Sequence, residues 1–434
     1  MKAAATAYDV AVIGGGASGL AAAFAAAWTG ARVVVLERDV ACGLSILATG
    51  NGRCNLSNER LDPARYRHPA AARVVMGEEP ERSVAAFFDR VGVWTAAEGE
   101  GRLYPYSRRA ASVRDALLGA CLRAGVELRC GCTLTAAHAD ADAAGWELAL
   151  RGPERPVRLR GGRDEKAALR AARRALSDVA QCDGRLHARA VVLAPGGRSE
   201  GICGIFGFPH VPERPVLCPI ACAVRDLPKA TAALDGVRVH AALTLRGPDG
   251  PAWREAGEAL FRPYGISGIA AFNLSRRIRP GDEIVLDLFP EMDEEKLAAA
   301  FERRADLRGD LAGAKDADAW FDGVLDRRVG SLVREVAERT SARVTPETLA
   351  RAAKGIELTV AGTAGEQAAQ VRQGGIPFDA VDLETLELAG AGAPGVFACG
   401  EALDMDADCG GFNLAWAWLS GLRAGSSAAA AARR

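Results

Sequence analysis

The chain opens on a short apolar, β-branched run, Val10 to Ile13 after Asp9, which breaks at Gly14-Gly15-Gly16 and resumes as the Ala-rich stretch Leu20 to Trp28. A second apolar run, Arg32 to Leu36, follows. Short continuous apolar runs fit strands buried on both faces, and the longer Ala-rich stretch fits a helix, so Tyr8 to Glu37 is predicted to be a strand-loop-helix-strand unit. Further along, Leu117 to Ala124 reads as helix and Gly125 to Leu134 as one alternating strand. Ala190 to Ala194 reads as a buried strand ended by Pro195-Gly196-Gly197. The charged stretch Asp164 to Asp178 has helical periodicity but no place in a parallel sheet, and is expected to be a surface elaboration. From Gly201 to Leu288 the pattern becomes short strands punctuated by Pro and Gly, and from Asp293 to Lys354 charged amphipathic helix. Gly395 to Gly400 is one more apolar strand, followed by a helix rich in Ala, Trp and Leu over Asn413 to Ala424.

These elements predict an α/β chain whose Rossmann-like domain is discontinuous, with a first part over 1–199 and a second over 354–434. Between them lies an insert on the substrate side, β-rich over 200–290 and helical over 291–353. A length of 434 residues agrees, being more than one hydrophobic core usually organises. The formal charge of −1 removes any composition-level case for nucleic acid or an anionic membrane as the main partner. The eleven cysteines contain no C-x-x-C pair, and no zinc-like spacing supports a metal site. Mostly reduced thiols without a cleavable signal point to the cytoplasm. The apolar start is interrupted by Asp9 and the glycines, and no other uncharged run reaches membrane-spanning length.

Gly14, Gly16 and Gly19 form G-x-G-x-x-G directly after a strand and at the opening of a helix. In that context the first glycine permits a tight turn, the second lets a pyrophosphate approach the backbone, and the third lets helix and strand pack closely. The helix start, with Ala17 and Ser18, adds free N–H groups and a partial positive charge. Glu37, with Arg38 beside it, ends the second strand about 20 residues later, where an acid accepts hydrogen bonds from a ribose.

Such a unit alone does not separate NAD from FAD. The run Ala48 to Asn58, containing Arg53, Cys54 and Asn55, is dense in Gly and Asn and lets backbone lie against a flat ligand. Gly400-Glu401 ends a strand at the carboxyl edge of the sheet, where Glu401 suits ribityl hydroxyls. Gly410-Gly411-Phe412-Asn413-Leu414 opens a helix whose amino terminus suits the negative charge of a reduced isoalloxazine ring. These features select FAD. Trp416 and Trp418 are expected to pack in the core.

Taken with Gly101 to Ser107, Gly257 to Phe261, Tyr264 to Gly268, and Gly362-Thr363 through Gln370-Val371 to Gly374-Gly375, these blocks resemble the bacterial FAD-dependent oxidoreductases of the aminoacetone oxidase family, which include bile-acid enone reductases. The resemblance implies a two-part flavin domain interrupted by a β-barrel and helical insert. It also implies FAD contacts at the glycine loop, Glu37, Arg53 to Asn55, Leu134 near the adenine, Ala194 with Gly196, and Gly400 through Leu414. Leu44, Ser45, Pro195 and Pro263 depart from the family pattern.

A flavin carries the hydride, so the protein need supply orientation, electrostatics and one proton. No second G-x-G-x-x-G lies between the flavin segments, and NAD(P)H is expected to visit transiently as donor. One expectation is hydride transfer to an enone of a small-molecule substrate. Tyr264 or Tyr104 would then be the proton donor, and Arg102 would polarise the carbonyl. An amine oxidase using O₂ and a non-catalytic flavin-binding accessory protein are the alternatives.

Overall fold

The computed structural model describes residues 6–140, 145–157, 159, 164–247, 253–308, 318–390 and 394–434. The chain divides into two compact units, one formed by 1–214 with 371–434 and the other by 215–370.

The first unit is built on a seven-stranded sheet. Thr6–Ile13 lies at its centre, parallel to Val33–Glu37 on one side and to the end of Gln181–Leu193 on the other, in registers such as Val12 opposite Val35 and Val192. Val396–Ala398 adds in parallel beyond Leu193, and Glu127–Cys130 beyond Glu37. The central strands are buried on both faces, which is why they read as unbroken Val, Ala and Leu. The strand Gln181–Leu193 changes character at Leu186: its exposed first half pairs antiparallel with Gly145–Pro153, and its buried second half joins the parallel set.

The expected strand Gly125 to Leu134 is two strands, Glu127–Cys130 and Thr133–Asp140. Gly131, at φ +75°, turns the chain between them, and the second strand runs antiparallel to Gly145–Pro153. The charged stretch is the helix Glu165–Asp178, started by Asp164 accepting from Ala167 N–H and almost wholly exposed. A separate three-stranded antiparallel sheet joins Ser57–Asn58, Arg102–Pro105 and Thr95–Glu98.

Ala17–Trp28 is rich in Ala and nearly all buried, as a helix covered on every side must be. It packs along the last helix, Phe412–Ala431, at unusually close range. A Cβ on Gly421 would stand 2.4 Å from the Ser18 carbonyl oxygen, and one on Gly425 2.1 Å from that of Ala22. Only glycine permits this approach.

The second unit contains a closed six-stranded barrel. Ile356–Thr363 closes it, pairing with Glu283–Asp287 on one side and Ile220–Val224 on the other. Its interior holds Leu243, Phe261, Ile266, Leu286 and Leu358. Beside it, Glu294–Arg308, Arg327–Thr340 and Pro346–Lys354 bury Phe301, Trp320 and Phe321. The divisions of the chain therefore fall later than 199/200 and 353/354. The closing strand belongs to the barrel's hydrogen-bond ladder, whereas Glu200–Phe206 packs its Phe206 against Trp146 of the sheet.

Candidate functional site

The glycine loop joins the central strand to the Ala-rich helix. A Cβ at Gly14 would meet the Ala194 carbonyl oxygen at 2.2 Å, and one at Gly19 the Gly14 carbonyl oxygen at 2.0 Å. At Gly16 the nearest group is Ser45 Oγ at 3.4 Å. The outer glycines are thus needed for packing, while the middle one leaves room at the helix start, where Gly16 is the N-cap and no side chain caps the first turn. An open helix start of this kind could hold a pyrophosphate on the Ala17 and Ser18 N–H groups.

Glu37 ends the second strand with its carboxylate accepting Gly15 N–H at 2.7 Å and Asp39 N–H at 2.8 Å. It braces the loop and keeps lone pairs that could accept from ribose hydroxyls. Arg38 is exposed, and Leu134 is buried in the core of the sheet. Ala194 lies against Gly14, and Gly196 takes φ +73° in the turn beyond it.

The carboxyl-terminal loop has the same logic with different supports. Gly411, at φ +100°, is the N-cap of the last helix, which again has no side-chain cap. A Cβ there would stand 2.1 Å from the Ser57 carbonyl oxygen. Asn55 locks the contact: its amide nitrogen donates to the Ser57 and Leu103 carbonyls, and its oxygen accepts Gly411 N–H at 3.1 Å. Asn58 donates to the Gly410 and Glu100 carbonyls. The Asn413 side chain reaches back to both backbone groups of Ala407. A positively polarised, open helix end is thereby held rigid, with Phe412 and Leu414 in its first turn.

Next to it, Arg53 pairs with Glu98 at 2.5 Å and lies 4.4 Å above the Tyr104 ring. Arg108 donates to the same Glu98 oxygen at 2.6 Å. Although some burial opposes its charge, hydrogen bonds from Arg108 and Arg53 hold the Glu98 carboxyl below its usual range. Arg102 pairs with Glu100 and stands opposite Asn58 in the small sheet. Cys54, at φ +59°, is buried, which pushes its thiol up to about 11 and leaves it unreactive. Arg53, Asn55, Arg102, Tyr104, Gly410 and Gly411 therefore form one neighbourhood. Tyr264 belongs to the barrel unit, where with Cys222, Thr231 and Pro263 it lines a cavity of about 420 Å³.

Glu401, expected from the sequence to face the ribityl hydroxyls, accepts the backbone N–H of Arg372 at 2.6 Å. Burial, reinforced by the charge of nearby Glu213, raises its pKa to about 7, against the pull of the Arg372 and Gly197 N–H groups. Arg372 pairs with Glu213, which also accepts from Ser199 and anchors the turn after Gly197. Asp404, Asp406 and Asp408 are buried acids at alternate positions. Asp404 meets Arg67 and His68, Asp406 accepts from Gln373, and Asp408 pairs with Arg65. Tyr66 is buried beneath the last helix and donates to the Phe412 carbonyl at 3.1 Å. Trp416 and Trp418 are core residues as expected, yet their indole N–H groups also fix the Gly400 and Leu56 carbonyls. Arg372, Glu213, Tyr66 and the acids from Asp404 to Asp408 were not singled out from the sequence, and the alternation of those acids is the signal that could have found them.

A pyrophosphate cradle at one end of the sheet and a second, uncapped helix start near an acid and a Gly-rich turn describe an FAD-dependent oxidoreductase of the Rossmann type. The family described as HI0933-like protein Rossmann domain matches residues 8–151 and 164–427, and the chain belongs to it. It is 32% identical over 442 residues to the 3-dehydro-bile acid delta(4,6)-reductase of Clostridium scindens, covering 97% of this chain and 98% of that protein. It is 24% identical to the ribosomal RNA dihydrouridine synthase of Haemophilus influenzae, covering 94% and 95% respectively. Among solved structures, the 3-ketosteroid-delta4-(5alpha)-dehydrogenase of Rhodococcus jostii aligns over 98% of this chain and 97% of its own at 16% identity and a TM-score of 0.44. Among the described residues no cluster of His, Cys, Asp or Glu could hold a metal, and no helix is long and apolar enough to cross a membrane.

Proposed function

We propose that the protein reduces a carbon–carbon double bond conjugated to a carbonyl in a small, largely apolar ring compound of the bile-acid or steroid kind, with NAD(P)H as a transient electron donor. The observation that carries this reading is the similarity, over nearly the whole of both chains, to a reductase named for a 3-dehydro-bile acid.

Bound FAD would supply hydride chemistry at its N5 position. Gly14, Gly16, Ala17, Ser18 and Gly19 would hold the pyrophosphate and Glu37 the adenosine ribose. Glu401 would take the ribityl chain, and the last helix's first turn the electron-rich end of the ring system. Arg53 is held in place by Glu98 and Tyr104, which fixes a cation beside that turn. Arg102 would polarise the substrate carbonyl and so favour attack at the β-carbon. The Tyr104 hydroxyl would place a proton on the α-carbon. The overall change consumes NAD(P)H, a proton and the enone, and yields NAD(P)⁺ and the saturated ketone.

The ribosomal RNA dihydrouridine synthase also bears a name describing saturation of a ring double bond, here in a nucleic acid. The near-zero charge of this chain weighs against a polyanionic substrate. Anaerobic titration of the FAD-loaded protein with NADH and NADPH, followed by flavin absorbance, separates the readings. Bleaching by a nicotinamide and recovery on adding a 4-en-3-one steroid is the expected outcome. Recovery with ribosomal RNA alone, or bleaching by an amine and by neither nicotinamide, would overturn it.

A further inference from the structure

Behind the glycine loop lies a thiol pair that hydride chemistry does not use. Cys42 Sγ and Cys130 Sγ are 3.8 Å apart although 88 positions separate them in sequence. Cys130 ends its strand in register with Glu37, and Cys42 follows the same second strand. Cys42 is buried against the loop, so a Cβ on Gly15 would come within 2.5 Å of its sulfur. The next residue, Gly43, donates its N–H to the Gly15 carbonyl at 2.7 Å. Gly131 and Cys132 donate to the Asp39 and Glu37 carbonyls, fixing the other side. Cys130 is partly exposed and Cys42 is not, which gives the pair an outer and an inner member.

We propose that Cys42 and Cys130 are a reversible disulfide site that responds to hydroperoxides and locks the glycine loop around its cofactor. The Cys130 thiolate attacks the peroxide, breaking the O–O bond to give a sulfenic acid and releasing water or an alcohol. Cys42 sulfur then attacks Cys130 sulfur: the S–S bond forms, the S–O bond breaks, and the oxygen leaves as water with the remaining proton. The two thiols lose two electrons, which the peroxide gains, and a small dithiol reverses the change. The order of events follows from the contact. Cys130 is the partly exposed member, and its contact with Cys42 holds it below the usual thiol range, while that same contact, with burial, holds Cys42 far above. The bridge would tie the Cys42-Gly43 segment, and through it Gly15, to the strand end, suppressing the local opening through which the cofactor leaves. This inference stands apart from the identity of the substrate.

The test treats FAD-loaded protein with a small excess of hydrogen peroxide, blocks remaining thiols and maps the peptides by mass spectrometry. A linked Cys42–Cys130 peptide pair that dithiothreitol removes is expected, with FAD release on dilution several-fold slower than from reduced protein. Cys42→Ala should halt at a sulfenic acid on Cys130 that dimedone traps, and Cys182→Ala should leave pair formation unchanged. Oxidation of exposed Cys182 without the linked pair would overturn the proposal, as would a linked pair that leaves FAD release unaltered.

Discussion

The two helices whose starts we assign to the flavin begin alike and are supported differently. Each starts at a glycine, and neither has a side-chain cap. The Ala-rich helix owes its open start mainly to backbone fit, Gly14 against Ala194 and Gly19 against Gly14, with one nearby side chain, Glu37, bracing Gly15. The last helix owes its start to side chains from distant segments, with Asn55, Asn58 and Tyr66 each holding part of the turn from Gly410 to Phe412. A phosphate is a small, symmetrical anion that a short local motif can recognise. A flat ring system needs a site assembled from several parts of the chain.

The sharpest way to break that comparison is a methyl group at each start. Gly14→Ala and Gly411→Ala both place Cβ on a carbonyl oxygen at positive φ, and each should weaken FAD binding by about 2 kcal/mol, roughly 30-fold. They should part with ADP as ligand: calorimetry is expected to show ADP binding lost in Gly14→Ala and kept in Gly411→Ala. Equal loss in both would mean the two starts do not divide the cofactor as described.

Asn55→Leu should act next. It keeps the volume but leaves two carbonyls and the Gly411 N–H without the amide that joins them, at a cost of about 1–3 kcal/mol. The expected result is a roughly 10-fold rise in the FAD dissociation constant with the first helix start, and hence ADP affinity, unaltered.

A pH series probes Glu401, at the second site only. Its folded pKa is raised, to about 7, so the protonated form is favoured in the folded state. Stability should therefore fall as pH rises from the ordinary carboxylate range to about 7, and level off above it. Urea midpoints measured across this window should lose the slope in Glu401→Gln. A slope that survives the substitution would assign it to another group. The smallest effect is expected from Trp416→Phe, which removes one indole bond to the Gly400 carbonyl; a melting experiment should register a loss of about 1 kcal/mol.

Most of the first helix start was legible because its parts are neighbours in sequence: strand, Gly14, Gly16, Gly19, then Glu37. The sheet's central strands as separate elements, the charged outer helix and the inserted unit were legible for the same reason, through local periodicity. What stayed hidden is carried by pairings between distant positions. Nothing local in Ile356–Thr363 marks it as a barrel strand, since its partners are Glu283–Asp287 and Ile220–Val224. Likewise, the turn at Gly131 became evident only when Thr133–Asp140 was seen to reverse along Gly145–Pro153. Arg53 was expected among the ligand contacts. Its pairing with Glu98 and stacking on Tyr104 show that it is first a fixed part of the wall.

The close seating of Gly421 on Ser18 and Gly425 on Ala22 has a kinetic side. Contacts between residues so far apart in the chain require closing a very long loop, and topologies dominated by such contacts fold slowly. The inserted unit shortens that search: Gly374 lies against Pro212, so the chain leaves and re-enters the flavin unit at neighbouring points. Once the barrel is formed, its residues cease to count as slack. The two helices can then meet as though the intervening barrel were a short tether.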